Sequence, residues 1–258
     1  MYGRWRNIIL WSIALTSGLL APSSGAQAAK EQIALGDRDS DARKAQSAFE
    51  HYQQALLAEP KNYEALWKAA RAATDLAELA PGRAAQDSLI HGAQRNAEDA
   101  IAANPAHAEG HFALARALGR KALSVGTMDR IKYAKVVRAE ALAALRADSV
   151  HPGALHVLGM WNAEIMRVNG FARAFARTFL GAQVFSRASW DEAQRLLERA
   201  VQIDPDRIVH HLDLGHVYAD RGEKDKAREQ FEWIAKAPVR EYPDSLYKEQ
   251  AAQLLRKL

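Results

Sequence analysis

Apolar and polar residues alternate along this chain with the period of an α-helix. From about residue 41 to residue 258 the apolar positions recur at helical spacing, and proline or glycine separates most of these stretches. Helical spacing places apolar side chains on one face, which packs against a neighbouring helix. The pattern predicts an all-α region over residues 41–258, preceded by a short flexible lead-in over residues 29–40.

Four helical stretches share an internal pattern that indicates a repeat. Each ends at a proline with an alanine five residues earlier: Ala55 before Pro60, Ala100 before Pro105, Ala147 before Pro152 and Ala200 before Pro205. Three also have alanine twelve residues before the proline, at Ala48, Ala93 and Ala193, whereas the third has Glu140 there. The helix after each proline carries a small residue, namely Ala70, Ala115, Gly159 or Gly215. Because proline ends a helix and small residues let two helices approach closely, the pattern predicts repeated antiparallel helix pairs.

These helix pairs have the pattern of a tetratricopeptide repeat (TPR). The best copy covers residues 208–236, with Leu214, Gly215 and Tyr218 on its first helix and Ala227 and Phe231 on its second. The repeat prolines are 45, 47 and 53 residues apart, whereas a plain TPR repeats every ~34 residues. The extra residues fall between the two helices of a pair, at 79–82, 125–127 and 169–188. We therefore predict a TPR-like right-handed superhelix of antiparallel helix pairs with long inter-helix insertions.

This combination resembles the regulator of microtubule dynamics family, TPR proteins with bacterial relatives. The matching pieces are Tyr63–Arg71 (YEALWKAAR), the turn from Gly126 to Ile131, His156–Trp161 (HVLGMW), the insertion before Ser189 and the closing helix from Pro243 to Leu254. The resemblance extends over about residues 41–258. It implies an all-helical superhelix that acts through protein contacts, and it transfers no catalytic residue.

Residues 1–28 are organised like a secretory signal peptide. Arg4 and Arg6 precede a mostly apolar stretch over residues 8–21, and Ala26-Gln27-Ala28 is a small-x-small cleavage motif. A membrane anchor is the alternative, but the apolar stretch is shorter than the ~20 residues that span a bilayer. We expect cleavage after Ala28 and a periplasmic or secreted mature protein, for which the microtubule activity in the family's name is not expected.

Composition and charge argue against several functional classes. The chain has no cysteine, which excludes thiol nucleophiles, disulfides and iron–sulfur clusters. Removal of residues 1–28 takes away two of 35 basic residues and none of the 31 acidic ones, so the net charge falls from +4 to +2. This near balance gives no basis for nucleic-acid binding. The sequence also lacks a glycine-rich phosphate loop and a G-x-S-x-G motif, so we expect neither enzyme activity nor a cofactor.

The first helices of TPR pairs line a concave groove, and particular positions of each helix face it. These positions hold Glu64, Trp67 and Arg71 in one repeat and Glu109, Phe112 and Arg116 in the next. In the later repeats they include His156, Met160, Leu212 and His216. Aromatic faces accept apolar side chains and arginines hold carboxylates, so we predict a groove that binds a protein or peptide. In the alternative interpretation the aromatic residues belong to the core, and Glu and Arg pair within one helix.

Residues 169–188 contain four phenylalanines. Phe171, Phe175 and Phe179 recur every four residues, so they would share one face of a helix. We expect this helix to fold back on the array and cover an edge or part of the groove. The alternative is a structural protein that attaches to a membrane surface through residues 171–185.

Histidine neighbours suggest a metal-dependent enzyme as the alternative of a different class. His107 and His111 are one helical turn apart, and His210, His211 and His216 are close in sequence. A zinc site needs at least three protein ligands, and the sequence shows no third ligand beside the first pair. We expect no metal site, and the sequence favours a non-catalytic scaffold or adaptor of the cell envelope.

Overall fold

The structure is a computed structural model that describes residues 24–168 and 183–258. Within these ranges the chain forms eleven α-helices and no strand. In chain order they are α1 (Ser24–Asp41), α2 (Ala45–Ala58), α3 (Tyr63–Leu79), α4 (Arg83–Ala103), α5 (Ala108–Ser124), α6 (Thr127–Ala147), α7 (Pro152–Arg167), α8 (Trp190–Ile203), α9 (Ile208–Asp220), α10 (Lys224–Lys236) and α11 (Asp244–Leu255). A 3-10 helix, Gln183–Arg187, precedes α8. None of the helices in the described ranges combines the length and the apolarity needed to cross a membrane.

The described helices pack as five consecutive pairs, α1–α2, α3–α4, α5–α6, α7–α8 and α9–α10. Most of the connecting loops are short, which makes the two helices of a pair antiparallel. Each odd-numbered helix up to α7 also contacts the next odd-numbered helix, so α1, α3, α5, α7 and α9 form an inner layer. Helix α11 packs on α9 and α10. The predicted all-α, TPR-like superhelix is confirmed.

Glycines allow the last two pairs to approach closely. A Cβ added to Gly159 of α7 would lie 2.8 Å from Leu197 Cγ and 3.2 Å from the carbonyl oxygen of Ala193, both on α8. A Cβ added to Gly215 of α9 would overlap the ring of Phe231 on α10. Because no larger side chain fits without a shift of these neighbours, both residues lie at the predicted helix crossings.

Residues 29–40 are helical, so the predicted flexible lead-in is wrong. They belong to α1, which packs on α2 and buries Ala29, Ile33 and Gly36. A Cβ added to Gly36 would overlap the ring of Tyr52, whose hydroxyl donates to Asp37 at 2.9 Å. The charged residues of the segment lie mainly on the other face of α1. An amphipathic helix with so many charges has the composition of a polar linker.

The third repeat has a different register from the one that Pro152 suggested. At the ends of α2, α4 and α8, the backbone N–H of the residue after the helix donates to the carbonyl oxygen of an alanine four residues earlier. At the end of α6, the equivalent hydrogen bond runs from the N–H of Asp148 to the carbonyl oxygen of Ala144 at 2.8 Å. Ala144 is fully buried, whereas Ala147 is exposed, so the predicted contact at Ala147 is wrong. Pro152 is the first residue of α7 rather than the end of α6. Buried Val137, not Glu140, is the counterpart of Ala48.

The extra residues of the middle repeats lengthen their helices. Helices α3 and α5 have 17 residues and α4 and α6 have 21, against 13 in α9 and in α10. The largest insertion follows α7, and its residues 169–182, with the predicted face of Phe171, Phe175 and Phe179, lie outside the described residues. Residues 1–23 of the predicted signal peptide lie outside them too. Phe185 is described, and its buried ring lies 6.0 Å from the ring of Trp161.

Candidate functional site

A cavity of about 590 Å³ opens on the inner side of the array, between α5, α6, α7, α9 and α11. Its apolar wall includes Phe112, Val137, Met160, Trp161, Val209 and Leu212. Helical spacing explains this wall, because residues three or four apart on one helix face the same side. Small-molecule and side-chain binding sites commonly have volumes of ~300–1,000 Å³. The size and lining are therefore those of a binding site.

Ion pairs between α5 and α3 lie at one end of this cavity. Arg116 Nη2 donates to Asp75 Oδ1 at 2.5 Å, and one turn further on Arg120 pairs with Glu78. Burial alone would lower the pKa of Arg116, but the carboxylate of Asp75 outweighs burial and raises that pKa above its ordinary value. The guanidinium of Arg116 is thus a permanent positive charge in the cavity wall.

A second group of ion pairs centres on Glu241, in the segment between α10 and α11. Arg71 Nη2 of α3 donates to Glu241 Oε1 at 2.7 Å, and Arg207 Nη2, just before α9, lies 3.2 Å from the same oxygen. Burial alone would raise the pKa of Glu241, but Arg207, Arg71 and Arg116 lower it. The carboxylate is therefore held in its ionised form.

Together the two groups form an arginine cluster in which four guanidinium groups face three carboxylates. The cations are Arg71, Arg116, Arg120 and Arg207, and the anions are Asp75, Glu78 and Glu241. Arg116 Nη1 and Arg207 Nε are buried and have no hydrogen-bond partner among the described residues. A buried donor without a partner costs about 1–3 kcal/mol. An added carboxylate could supply the missing acceptors.

A buried histidine pair lies beside the cluster. His156 Nδ1 and His210 Nδ1 are 2.8 Å apart, so one of them donates to the other, and His156 Nε2 lies 3.0 Å from Asp213 Oδ2. Burial, and then the charges of His156 and Arg207, hold the pKa of His210 well below its usual value. Burial alone would raise the pKa of Asp213, but the hydrogen bond from His156 lowers it. His210 is therefore neutral beside an ionised Asp213.

Five of the ten residues predicted to face the groove line the cavity, namely Phe112, Arg116, His156, Met160 and Leu212. The core interpretation also holds for Phe112, the aromatic residue among them, and Leu212 is likewise buried. Phe112 packs against Gly153 and is 6% exposed, and Leu212 is 3% exposed. These residues therefore contribute to the fold and to the cavity wall at once.

Neither of the predicted Glu–Arg pairings within a helix is formed. Glu64 accepts from Lys68 at 2.6 Å, and Glu109 lies 3.5 Å from His151 Nε2. The two arginines pair between helices instead, Arg71 with Glu241 and Arg116 with Asp75. The part of the alternative interpretation that pairs Glu with Arg within one helix is wrong, because each of these side chains has a closer partner than a residue two turns away.

Glu64, Trp67, Arg71, Glu109 and His216 do not line the cavity. Trp67 is half-buried, and the ammonium group of Lys68 lies 5.5 Å from its ring centre. His216 packs edge-on against the core residue Phe231, with ring centres 6.0 Å apart. Arg71 reaches the cavity only through Glu241.

Sequence analysis missed several cavity residues, chiefly Arg120, Arg207, His210, Asp213, Glu241 and Tyr247. Arg120 follows Arg116 by one helical turn and could have been included on that ground. Asp213 is likewise next to a predicted groove position, Leu212. Glu241 and Tyr247 had no such signal, because they belong to the terminal segment and to α11, outside the repeats.

The histidines that suggested a metal site are engaged in the fold. Both ring nitrogens of His111 are bonded, Nδ1 to Glu140 at 2.6 Å and Nε2 to the carbonyl oxygen of Pro105 at 3.0 Å. His211 repeats this arrangement, with Nε2 2.8 Å from the carbonyl oxygen of Pro205. No group of three or more potential metal-binding side chains occurs among the described residues. His111 and His211 therefore each connect a helix to the turn that precedes it.

The helix pairs, the inner layer and the concave cavity define the class of protein as an all-α TPR-like superhelix. Residues 31–258 match the family described as Regulator of microtubule dynamics protein 1-3. The chain belongs to this family, and the resemblance predicted from the sequence is confirmed.

Two relatives show how far the likeness extends. Regulator of microtubule dynamics protein 1 of Bos taurus is 26% identical over 204 residues, which cover 77% of this chain and 62% of the bovine protein. This chain thus spans less than two thirds of the length of that relative. A thermophilic TPR protein of Thermus thermophilus has a TM-score of 0.64 at 18% identity, over 88% of this chain and 100% of that one. The structural likeness shows the fold.

Proposed function

We propose that this protein is a non-catalytic scaffold or adaptor that binds a protein or peptide partner in its concave cavity. The observation that carries the proposal is the combination, in one cavity of about 590 Å³, of an apolar wall and an arginine cluster with buried, unpartnered donors. A peptide can satisfy both at once, with an apolar side chain against Phe112 and Met160 and a carboxylate at the arginines.

The engaged histidines support a binding role over a catalytic one. A metalloenzyme would need ligands free to bind the metal, whereas both ring nitrogens of His111 and of His211 are bonded within the fold. Zinc titration provides a direct test. An increase in melting temperature on adding zinc that disappears in His107→Ala and His111→Ala would favour the enzyme.

Capture of a partner tests the binding proposal. The bait is the intact protein, compared with the double variant Arg71→Ala/Arg116→Ala and with a matched control, Arg95→Ala/Arg146→Ala, whose changes lie on the exposed surfaces of α4 and α6. A protein retained by the first and third baits and lost from the second supports the proposal, provided that the purified partner binds in the same order. Retention of every partner by Arg71→Ala/Arg116→Ala would contradict it.

We also propose that the protein works outside the cytoplasm, after cleavage of residues 1–28. The support is the sequence order of Arg4 and Arg6, an apolar stretch and the Ala26-Gln27-Ala28 motif. Cleavage after Ala28 would remove the first residues of α1 but keep its buried Ala29 and Ile33. Expression of the full chain in a Gram-negative host should give a periplasmic protein with the mass of residues 29–258. An uncleaved chain in the cytoplasm would refute this proposal.

The family name refers to microtubules, which an exported bacterial chain would not meet. Purified microtubules are therefore a useful negative control in the capture experiment. We expect no co-sedimentation with them above the level of an unrelated protein of similar charge.

A further inference from the structure

The segment that links α10 to α11 crosses the groove and contacts the beginning of the array. Arg43 Nη1, in the loop after α1, donates to the carbonyl oxygen of Val239 at 2.7 Å. Arg71 of α3 donates to the carboxylate of Glu241 at 2.7 Å. These two contacts join residues that are 196 and 170 positions apart in the chain. The last repeat is thereby tied to the first ones across the open side of the superhelix.

The local backbone presents Glu241 toward the arginines. The carboxylate of Asp244 accepts the backbone N–H groups of Arg240 at 2.8 Å and of Glu241 at 2.7 Å. This bonding fixes a tight turn at the start of α11, and it directs the side chain of Glu241 between Arg71 and Arg207. An acidic residue of this chain thus occupies the position that a bound peptide's carboxylate would occupy.

The segment is anchored at its ends and held in the middle mainly by charge. Ala237 is 8% exposed and Pro243 is fully buried, and both belong to the part of the chain that packs with α9–α11. The middle of the segment is different, because Pro238 and Arg240 are exposed. In this middle part, Val239 and Glu241 accept hydrogen bonds from Arg43 and Arg71 of the first repeats. Partly exposed charged contacts of this kind can exchange with a competitor more readily than a packed apolar core can.

We propose that residues 238–243 are a built-in competitor for the peptide site, and that the partner displaces Glu241 with an acidic side chain or a terminal carboxylate of its own. This inference rests on the proposed function of the cavity and adds the chemistry of its ligand. The arginine cluster already binds Glu241 from the terminal segment, and its two unpartnered donors suit the carboxylate of an acidic peptide segment.

The competition can be measured with a peptide copied from the chain itself. The probe is a fluorescently labelled peptide with the sequence of residues 237–243, APVREYP, and its binding is followed by fluorescence anisotropy. In the wild-type protein the tethered Glu241 competes at a high effective concentration, so the probe should bind weakly. Glu241→Gln removes the competing charge, and we expect it to bind the probe at least tenfold more tightly. Glu232→Gln, an exposed carboxylate on α10, is the matched control and should behave like the wild type.

Three further arms test the chemistry of the site and the attachment of the segment. A probe with Gln in place of its Glu should bind Glu241→Gln at least tenfold more weakly than the acidic probe does. Adding Arg71→Ala to Glu241→Gln should abolish binding of the acidic probe. Arg43→Ala, which leaves the arginine cluster intact but removes the contact to Val239, should strengthen probe binding by a smaller factor. Far-UV circular dichroism confirms that each variant is folded.

Equal affinity of the acidic probe for the wild type and for Glu241→Gln would overturn the inference. It would also be overturned if Glu241→Gln bound the Gln probe as tightly as the acidic probe, or if no variant bound the acidic probe. These results would not refute the proposed function if the binding of a captured partner still required Arg71 and Arg116. Conversely, a partner that ignores these arginines refutes the proposed function, whatever the probe shows.

Discussion

Substitution of Gly215 by alanine should destabilise the protein, although alanine is the better helix former. Gly215 lies inside α9, where it crosses α10, and its Cβ would overlap the ring of Phe231. That ring is fully buried, so it has no free space into which it can turn. Gly92, in the interior of α4, provides the matched control, because a Cβ there meets no atom of the described residues within 4 Å.

Two opposing terms set the magnitude. Replacing glycine by alanine in a helix interior stabilises it by about 1 kcal/mol. Forcing a methyl group into a packed contact costs about 1–3 kcal/mol. For Gly92→Ala only the first term applies, so the gain should be about 1 kcal/mol. For Gly215→Ala the terms oppose each other, and we expect a net loss of up to about 2 kcal/mol.

Thermal denaturation followed by circular dichroism measures both variants. A change of 1 kcal/mol shifts the melting temperature of a protein of this size by roughly 2–4 °C. The melting temperature should therefore rise for Gly92→Ala and fall for Gly215→Ala, so that the two variants differ by roughly 2–12 °C. If Gly215→Ala is as stable as Gly92→Ala, the close crossing of α9 and α10 is not a constraint, and the argument from small residues is wrong.

Three other predictions concern single contacts. Because burial keeps the pKa of His210 well below 6.5, the folded protein binds fewer protons than the unfolded one below about pH 6.5. Its stability should therefore fall as the pH is lowered from 6.5 toward 5, and urea titrations should show a smaller fall for His210→Gln. Ser189→Ala removes the hydroxyl that caps α8 by accepting a hydrogen bond from the N–H of Glu192. It should lower the free energy of unfolding, measured by urea denaturation, by about 1 kcal/mol. Ser88→Ala, at an exposed position inside α4, should not lower it. Lys248→Met removes an ammonium group that donates to three carbonyl oxygens at the end of α10. The melting temperature should drop by an amount equivalent to ~1–2 kcal/mol. An unchanged melting temperature would show that water replaces the lysine as the hydrogen-bond donor.

The sequence was sufficient to predict the helix pairs because each crossing leaves a local mark. Small residues such as Gly159 and Gly215 recur at fixed positions, and each crossing involves helices that are neighbours along the chain. The helical periodicity did not predict α1, because the charged residues on its outer face made the segment around the buried Ile33 resemble a flexible polar linker. It also failed at the end of α6, because Pro152 begins the next helix instead of following the last one, which shifts the register by three residues.

From the sequence we predicted part of the apolar wall of the candidate site, including Phe112 and Met160, and two arginines of its cluster, but none of the carboxylates of that cluster. Arg71 and Arg116 stand at equivalent positions of two repeats, so the repeat itself identifies them. Their partners are set by the superhelix and not by the repeat. Asp75 reaches Arg116 because α3 and α5 are adjacent in the inner layer, a contact that spans 41 positions of sequence. Glu241 reaches Arg71 only because the array curves far enough for its last segment to return to its beginning.

Because the last segment returns to the beginning of the array, it also changes the surroundings of the arginines. In an open array the arginines of the inner layer would face water, where their charges are screened and each ion pair contributes little. In this chain the terminal segment and Tyr247 of α11 complete the wall, so Arg116 lies in a buried environment in which its Nη1 donor has no partner among the described residues. A carboxylate that enters there gains stronger hydrogen bonds than it would on an open TPR surface, because less water competes for the same donors. The terminal segment therefore both encloses the arginines and pairs Glu241 with them, and the affinity that we propose for an acidic partner would depend on the balance of these two effects.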